Sequence, residues 1–227
     1  MPARLIMWDI DLTLLHAGGL TRQAYGAAFH GLTGVEPVAY PNFSGRTDLD
    51  AATEIFARHG LTDADVPGFL ARYAEEMRTR AHLIPEYGEL LPGADAVLDA
   101  LAGHRPRLVQ TTVTGNIAPV AHAKLAAWGL DAALDLTVGA YGIEDVTRAA
   151  LVAASRRRAE AKYGRFDEVV VVGDTGYDVA AALACGVTAV GVATGRVGAD
   201  ELRAAGAHVV LDSLADVASV VTLLGAS

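Results

Sequence analysis

The sequence predicts an α/β protein in which a parallel sheet is interrupted, near its start, by an all-helical segment. In the second half of the chain, short runs rich in β-branched residues alternate with Ala-rich stretches that end in glycine, a pattern typical of successive βαβ units. The segment from Gly18 to Glu89 instead has helical periodicity and no convincing strand. The chain has 227 residues, of which 52% are hydrophobic, and it can therefore bury a sizeable core.

Six runs are predicted to form strands, because each is short, apolar and rich in β-branched residues. They lie at residues 4–9, 107–113, 134–140, 168–174, 187–194 and 207–212. Helices are expected at residues 20–34, 49–60, 66–84, 117–129, 148–164 and 177–186. Turn-forming residues flank the insert, and they divide the chain into a Rossmann-like core, residues 1–17 and 90–227, and a helical cap, residues 18–89.

The composition argues against several classes of protein. With a formal net charge of −9, the chain is not expected to bind nucleic acid, and a small substrate held by a few local cations or a metal fits better. The single cysteine, Cys185, cannot form an intramolecular disulfide, so a reducing cytoplasm is the simplest location. The sequence lacks an uninterrupted apolar run of about 18 residues, so we expect no membrane insertion.

The first predicted strand ends in two carboxylates one residue apart, in "IMWDIDLTLL" at residues 6–15. Alternation places Asp9 and Asp11 on the same side of an extended chain. Ligands of an open parallel sheet bind at the carboxyl ends of its strands. Polar residues near the ends of the other strands are therefore expected at the same site: Thr114, Arg148, Asp174 and Asp178.

Together these motifs resemble those of the haloacid dehalogenase (HAD) superfamily of phosphotransferases, whose first motif is D-x-D-x-T and whose last is often G-D-x-x-x-D. Here they stand as "DIDLT" at residues 9–13 and "GDTGYD" at residues 173–178. "FSGRTD" at residues 43–48 and "VTGN" at residues 113–116 are similar to the phosphoglycolate phosphatase-like branch. The resemblance spans the whole chain and implies a Mg²⁺-dependent phosphatase acting on a small phosphorylated metabolite. We expect a monomer or a homodimer.

The resemblance also implies a role for each matching acid. Asp9 would be the nucleophile that becomes an aspartyl phosphate, and Asp11 would be the general acid and base. Mg²⁺ would be held by Asp9, by the backbone carbonyl of Asp11 and by Asp174, all of them oxygen ligands that this ion prefers. Asp178 would be an additional metal contact or support the ligands.

Phosphate binding is implied for Thr114, Gly115 and Asn116, which follow the predicted strand at 107–113. Thr114 could also cap the helix that begins after Ile117, and both roles can hold at once. The superfamily's site cation is usually a lysine ahead of the G-D strand. Arg148 occupies that position and is preferred here, and Lys124, on the preceding helix, is the alternative.

Substrate selectivity is predicted to depend on Arg46 in the "FSGRTD" turn of the cap. On cap closure its guanidinium would hold a carboxylate or phosphate oxygen of the substrate. Alternatively, Arg46 forms an ion pair with Asp48 or Asp50 on the cap surface, where it would contribute little.

Two other functions remain compatible with the sequence: a phosphomutase of the same branch, and a non-catalytic binding module that keeps the fold.

The loop after Asp9 departs from the superfamily pattern. Leu12 stands where glycine is common and Trp8 where phenylalanine is common, so the loop is expected to be less free to adopt unusual backbone angles.

Overall fold

The predicted parallel sheet is confirmed. The computed structural model describes residues 4–61, 63–104 and 107–225. Its strands are β1 Arg4–Trp8, β2 Leu15–His16, β3 Glu89–Leu90, β4 Leu108–Thr114, β5 Ala140–Tyr141, β6 Glu168–Gly173, β7 Thr188–Val192 and β8 Val209–Leu211. Six of these described strands form one sheet in the order β5-β4-β1-β6-β7-β8, with every neighbouring pair parallel. β2 and β3 form a separate antiparallel pair.

The six predicted helices are present, five of them within a few residues of their predicted bounds, and the described residues form four more, at 84–87, 94–102, 199–204 and 217–224, that were not predicted. The helices are α1 Leu20–Thr33, α2 Asp48–Arg58, α3 Val66–Arg80, α4 Ile84–Tyr87, α5 Ala94–Ala102, α6 Ala118–Ala126, α7 Arg148–Tyr163, α8 Gly176–Ala184, α9 Ala199–Ala204 and α10 Val217–Leu224. The helix predicted at 66–84 is the exception, because it ends at Arg80 and continues as a 3₁₀ turn and the short α4. Pro85 lacks the N–H that would extend α3 through this region. No described helix has both the length and the apolar character needed to span a bilayer.

Helices cover both faces of the sheet, which explains why its strands are apolar throughout. Alternate residues of β1 point to opposite faces. Ile6 and Trp8 pack in one apolar layer with α5, α6 and α10, and Leu5 and Met7 pack in the other with α7, α8 and α9. β1 is thereby fixed between β4 and β6, with Trp8 level with Thr112 and Val172.

The strand predicted at 134–140 is largely wrong. Residues Leu136–Val138 form a 3₁₀ turn, and only Ala140–Tyr141 pair with β4. The cause is Asp135, whose carboxylate accepts the backbone N–H of Thr137 at 3.1 Å and its hydroxyl at 2.6 Å. Such local hydrogen bonds compete with strand formation.

The segment predicted as a cap contains α1 to α4 and has an aromatic interior. Tyr25 makes edge-to-face contacts with Phe43, Phe69 and Tyr73, with ring centroids 4.8–5.0 Å apart. At the base of the segment, the β2–β3 pair joins the chain entering it to the chain leaving it. The aromatic interior is continuous with the apolar layer that contains Trp8. The boundaries 18 and 89 stay predictions.

Candidate active site

The carboxyl ends of β1, β4 and β6 meet at one edge of the sheet. Because these three strands are adjacent and in register, the residues at their ends, Asp9, Thr114 and Asp174, line one cavity of ≈ 690 Å³. The cavity is also lined by Tyr40 and Arg46 of the helical insert. The predicted polar residues are thus brought together between the sheet and the insert.

Three buried carboxylates form a cluster at this edge of the sheet, and two of them, Asp9 and Asp174, line the cavity. Asp9, Asp174 and Asp178 each offer an oxygen within 4.8 Å of the others, and they are 3%, 2% and 3% exposed. Burial, followed by the charges of Asp9 and Asp178, raises the pKa of Asp174 to about 8. Burial also raises the pKa of Asp9 to about 7, although the positive charge of Arg148 opposes the shift. Like charges held this close in a low-dielectric site destabilise one another.

Arg148 is the positive group of the cluster. Its Nη1 lies 3.1 Å from Oδ1 of Asp9 and also pairs with Oδ1 of Asp178, and its side chain is only 8% exposed. The other oxygen of Asp178 accepts the backbone N–H of Thr175 at 3.1 Å and its hydroxyl at 2.6 Å. Both carboxylate oxygens of Asp178 therefore have partners, one in Arg148 and the other in Thr175. This arrangement is suited to holding Arg148 in place.

The cluster fits a divalent cation. Among the described residues, Asp9 Oδ1 is buried and accepts no hydrogen bond, because its 3.1 Å contact with Arg148 is an ion pair without hydrogen-bond geometry. Three carboxylates share this single guanidinium. A hard cation with oxygen ligands would offset the excess negative charge. Gly195 leaves room for Asp174, because a Cβ at this position would lie 1.8 Å from Asp174 Oδ2.

Asp11 lies outside the three-acid cluster and has its own partners. Lys124, fully buried, places Nζ 2.8 and 2.7 Å from the two oxygens of Asp11. The side-chain N–H of Asn116 donates to Asp11 Oδ2 at 2.6 Å. Burial alone would raise the pKa of Asp11, but Lys124 and Asn116 outweigh it and lower the pKa. Both cations considered from the sequence thus lie in the site, Arg148 beside Asp9 and Lys124 beside Asp11.

The loop after β4 links Thr114 to Asp11. The Thr114 hydroxyl is buried and accepts the backbone N–H of Asn116 at 3.2 Å and its side-chain N–H at 2.9 Å. Thr114 does not cap α6, because the backbone N–H of Ile117 is instead accepted by a carboxylate oxygen of Asp48 at 2.8 Å. The N-cap role considered for Thr114 is therefore wrong.

Arg46 lines the cavity, but its guanidinium is paired within the insert. Nε donates to Asp50 Oδ2 at 2.6 Å, and Nη1 pairs with Glu54. This is the ion pair with Asp50 that the sequence left open as an alternative. Another arginine of the insert, Arg22, also lines the cavity and stacks on Tyr40 at 3.8 Å from the ring centroid; no pattern in the sequence separates it from other helical arginines.

Asp48 is the functional candidate that sequence reasoning missed. The sequence suggests it only as a surface partner of Arg46, yet it is 8% exposed and binds the core at Ile117. Its position in "GRTD", at the first turn of α2, is typical of an exposed helix start. A single sequence contains no pattern showing that the core closes over it.

The loop after Asp9 adopts an unusual backbone angle at Leu12, although the absence of glycine there was expected to disfavour one. Leu12 adopts a left-handed backbone conformation with φ 63°, the conformation that glycine usually provides. Its N–H donates to Leu15 O at 2.8 Å, and its carbonyl accepts the Thr194 hydroxyl at 2.6 Å. The surrounding structure therefore imposes the turn without a glycine.

Comparisons with known proteins agree with this fold. A family model described as HAD-hydrolase-like matches residues 147–217, the segment that contains Arg148, Asp174 and Asp178. A search of curated proteins gave no match to the chain.

Three solved structures share the fold over nearly the whole chain. A structure described as a predicted phosphatase from Clostridium acetobutylicum is 18% identical, with a TM-score of 0.70, and the match covers 99% of this chain and 100% of that one. CbbY from Rhodobacter sphaeroides, solved in complex with phosphate, is 19% identical with a TM-score of 0.71, covering 95% and 96%. A structure described as a predicted phosphoglycolate phosphatase from Haemophilus somnus is 17% identical with a TM-score of 0.66, covering 95% and 96%. At these identities the likeness establishes the fold, and with the family model it confirms the resemblance to the HAD superfamily.

Proposed function

We propose that this chain, an α/β protein of HAD-like fold, is a Mg²⁺-dependent phosphatase that hydrolyses a small phosphorylated metabolite through an aspartyl phosphate on Asp9. The observation that carries the proposal is the buried contact between Asp9 and Arg148 inside a cavity that also contains Asp11. A carboxylate nucleophile, a cation for the phosphoryl group and a second carboxyl for proton transfer are the groups that this reaction needs.

In the first half of the reaction, an oxygen of Asp9 attacks phosphorus and the bond from phosphorus to the ester oxygen breaks. Asp11 gives its proton to that leaving oxygen. Lys124 and Asn116 favour the ionised form of Asp11, and the negative charge of the bound phosphate ester favours its protonation. Arg148 and the loop from Thr114 to Asn116 would bind the phosphoryl oxygens, as donors preorganised for charge that develops in the transition state.

In the second half, ionised Asp11 takes a proton from water, and the water oxygen attacks phosphorus. The bond between phosphorus and Asp9 breaks, inorganic phosphate leaves, and Asp11 again holds the proton with which the cycle began. General acid and base catalysis of this kind typically contributes ~10²–10⁴-fold. Lys124 is the group that favours the ionised Asp11 required for this step.

Metal binding by the acids and closure of the insert would complete the proposed site. Asp9, Asp174 and the backbone carbonyl of Asp11 would hold Mg²⁺, with Asp178 beside them; the ion supplies positive charge to the phosphoryl oxygens when bound. Residues 18–89 would act as the cap that excludes bulk water. Arg46 is paired with Asp50 and Glu54 through Nε and Nη1, so a substrate anion that binds these two nitrogens would have to replace the acids. A cytoplasmic location and a monomer or homodimer stay predictions from the sequence.

The test is a phosphate-release screen over phosphorylated metabolites, with chelator and with added Mg²⁺. We expect release by the wild type with Mg²⁺, and none by Asp9→Asn, which keeps the shape of the side chain but removes the nucleophile. Asp167→Asn is the matched control, because Asp167 is exposed at the opposite end of β6. Substantial release by Asp9→Asn, or full release in excess chelator, would contradict the proposal. Transfer of phosphate to a second hydroxyl of a sugar phosphate, without release, would identify the phosphomutase alternative.

A further inference from the structure

A turn of the insert, residues 45–49, is docked on the core directly beside the candidate catalytic acids. We call it the docking turn. Its buried carboxylate, Asp48, accepts the backbone N–H of Ile117 at 2.8 Å through Oδ2. The backbone N–H of Asp48 donates to the carbonyl of Gly115 at 2.7 Å. One residue of the insert thus binds two residues of the loop that follows β4.

The surfaces on both sides of this contact are closely matched. A Cβ on Gly115 would lie 2.0 Å from the carbonyl oxygen of Arg46, and a Cβ on Gly142 would lie 1.8 Å from the carbonyl oxygen of Gly115. The N–H of Leu49 donates to the carbonyl of Gly142 at 3.1 Å. Because these clashes are with backbone atoms, only glycine allows the three segments to stack this closely.

The docking turn contacts the residues that hold both acids. The carbonyl of Gly45 accepts Nε of Arg148 at 3.2 Å, and Arg148 is the partner of Asp9. On the other side, Gly115 precedes Asn116, whose side chain donates to Asp11 at 2.6 Å. A displacement of the docking turn would therefore reach Asp9 through Arg148 and Asp11 through Asn116.

Asp48 also differs from an ordinary helix-start carboxylate. Burial raises the pKa of Asp48 to about 7, although the N–H of Ile117 opposes the shift, so the ionised group is costly to keep there. At the start of α3, Asp65 accepts the N–H of Gly68 at 2.9 Å while exposed to solvent. A helix start in this protein does not require a buried acid, and the burial of Asp48 needs another explanation.

We infer that Asp48 is a positioning residue, which docks the turn at residues 45–49 onto the core and so holds Arg148 and Asn116 where they contact Asp9 and Asp11. The inference rests on the proposed function, since the rate in question is that of phosphoryl transfer. Misplacement of catalytic groups by about 1 Å can cost on the order of 10²-fold in rate. The docking itself is a structural property that can be measured without any reaction.

The kinetic test compares Asp48→Ala and Asp48→Asn with Asp65→Ala. We expect Asp48→Ala to lower kcat about 10- to 100-fold on both p-nitrophenyl phosphate and the best metabolite, because the shared chemistry is affected. Asp48→Asn should recover part of this loss, since its amide oxygen can still accept the N–H of Ile117. Asp65→Ala also removes a hydrogen bond from a backbone N–H to a carboxylate, but one that is local to the start of α3 and exposed, so kcat should not change.

Hydrogen exchange of the metal-free protein gives the second measurement. The amides of Leu49 and Ile117 should exchange faster in Asp48→Ala than in the wild type, and their exchange should not change in Asp65→Ala. Unchanged exchange in Asp48→Ala would overturn the docking role, and faster exchange with unchanged kcat would overturn the positioning role. If Asp48→Ala does not fold, Asp48→Asn takes its place, with smaller effects in the same direction: exchange at Leu49 and Ile117 equal to the wild type would overturn the docking role, and an unchanged kcat the positioning role. If the wild type releases no phosphate, the proposed function fails while the exchange result still tests docking.

Discussion

At the scale of single residues, the two acids that follow β1 differ in the cation that each one contacts. Asp9 meets Arg148 within a cluster of three acids, so its pKa is raised, whereas Asp11 meets Lys124 and its pKa is lowered. Two carboxyl groups two positions apart in the sequence thus acquire opposite shifts. A nucleophile must be ionised to react, so the role proposed for Asp9 needs a further positive charge beside it, such as a bound cation would supply. The sequence shows that both acids are present but leaves Arg148 and Lys124 as alternatives, because it cannot show which acid each cation reaches.

Leu12 provides a test of backbone strain at the residue scale. With φ 63°, an L-residue at this position costs roughly 1–2 kcal/mol that glycine avoids. We expect Leu12→Gly to have a free energy of unfolding about 1 kcal/mol larger than that of Leu12→Ala. Both variants lose the same half-buried side chain, so the comparison isolates the backbone. Equal stabilities in urea denaturation would show that the turn is not strained.

At the scale of helices and strands, the sequence predicted what the period of hydrophobic residues determines. The long helices follow from the helical period, and β1 and β6 from short uninterrupted apolar runs, each of them flanked by glycine or polar residues. The strand predicted at 134–140 failed because the side chain of Asp135 turns the chain through a local hydrogen bond to Thr137. Apolar content alone did not reveal that turn. The close stacking of Gly142 on Gly115 could likewise not be predicted from the sequence, because the contact joins residues that are distant along the chain.

Gly142 tests this stacking between elements. We expect Gly142→Ala to destabilise the protein by about 1–3 kcal/mol, because the added methyl group meets the backbone of Gly115 and cannot be relieved by a rotamer change. Gly31→Ala is the matched control. Gly31 lies within α1, and among the described residues a Cβ added there would come nearest to Arg72 Nη1, at 3.6 Å, so alanine should stabilise the helix by about 0.5–1 kcal/mol. Effects of the same sign for both variants in chemical denaturation would contradict this account.

At the scale of the whole molecule, the order of strands brings the site together. β1 lies between β4 and β6, so residues at the ends of three strands distant in sequence meet at one edge. The rule that parallel sheets bind ligands at the carboxyl ends of their strands was enough to predict Asp9, Thr114 and Asp174 there. It could not predict Asp48, which belongs to the insert and reaches the site only because the insert docks on the core.

Buried acids should also make the stability of the whole protein depend on pH. The pKa values of Asp9 and Asp48 are raised to about 7 and that of Asp174 to about 8, from an ordinary value of 3.8. Between about pH 4 and pH 8 the folded state therefore binds more protons at these groups than the unfolded state. The free energy of unfolding must then fall as pH rises through this range, and level off above it. The lowered pKa of Asp135, about 2, acts below this window.

We expect the metal-free protein to be more stable near pH 5 than near pH 8, and the difference to shrink when Mg²⁺ is added. A cation that binds only the folded state stabilises it by mass action, and it does so more at pH 8, where the acids of the cluster are ionised and protons do not compete. The measurement is thermal or urea unfolding at both pH values, with chelator and with Mg²⁺. Asp174→Asn should flatten the pH dependence and reduce the effect of Mg²⁺, whereas Asp167→Asn, at an exposed position, should change neither. A metal-free stability that is constant or rises between pH 5 and pH 8 would show that the three acids do not titrate as their burial requires.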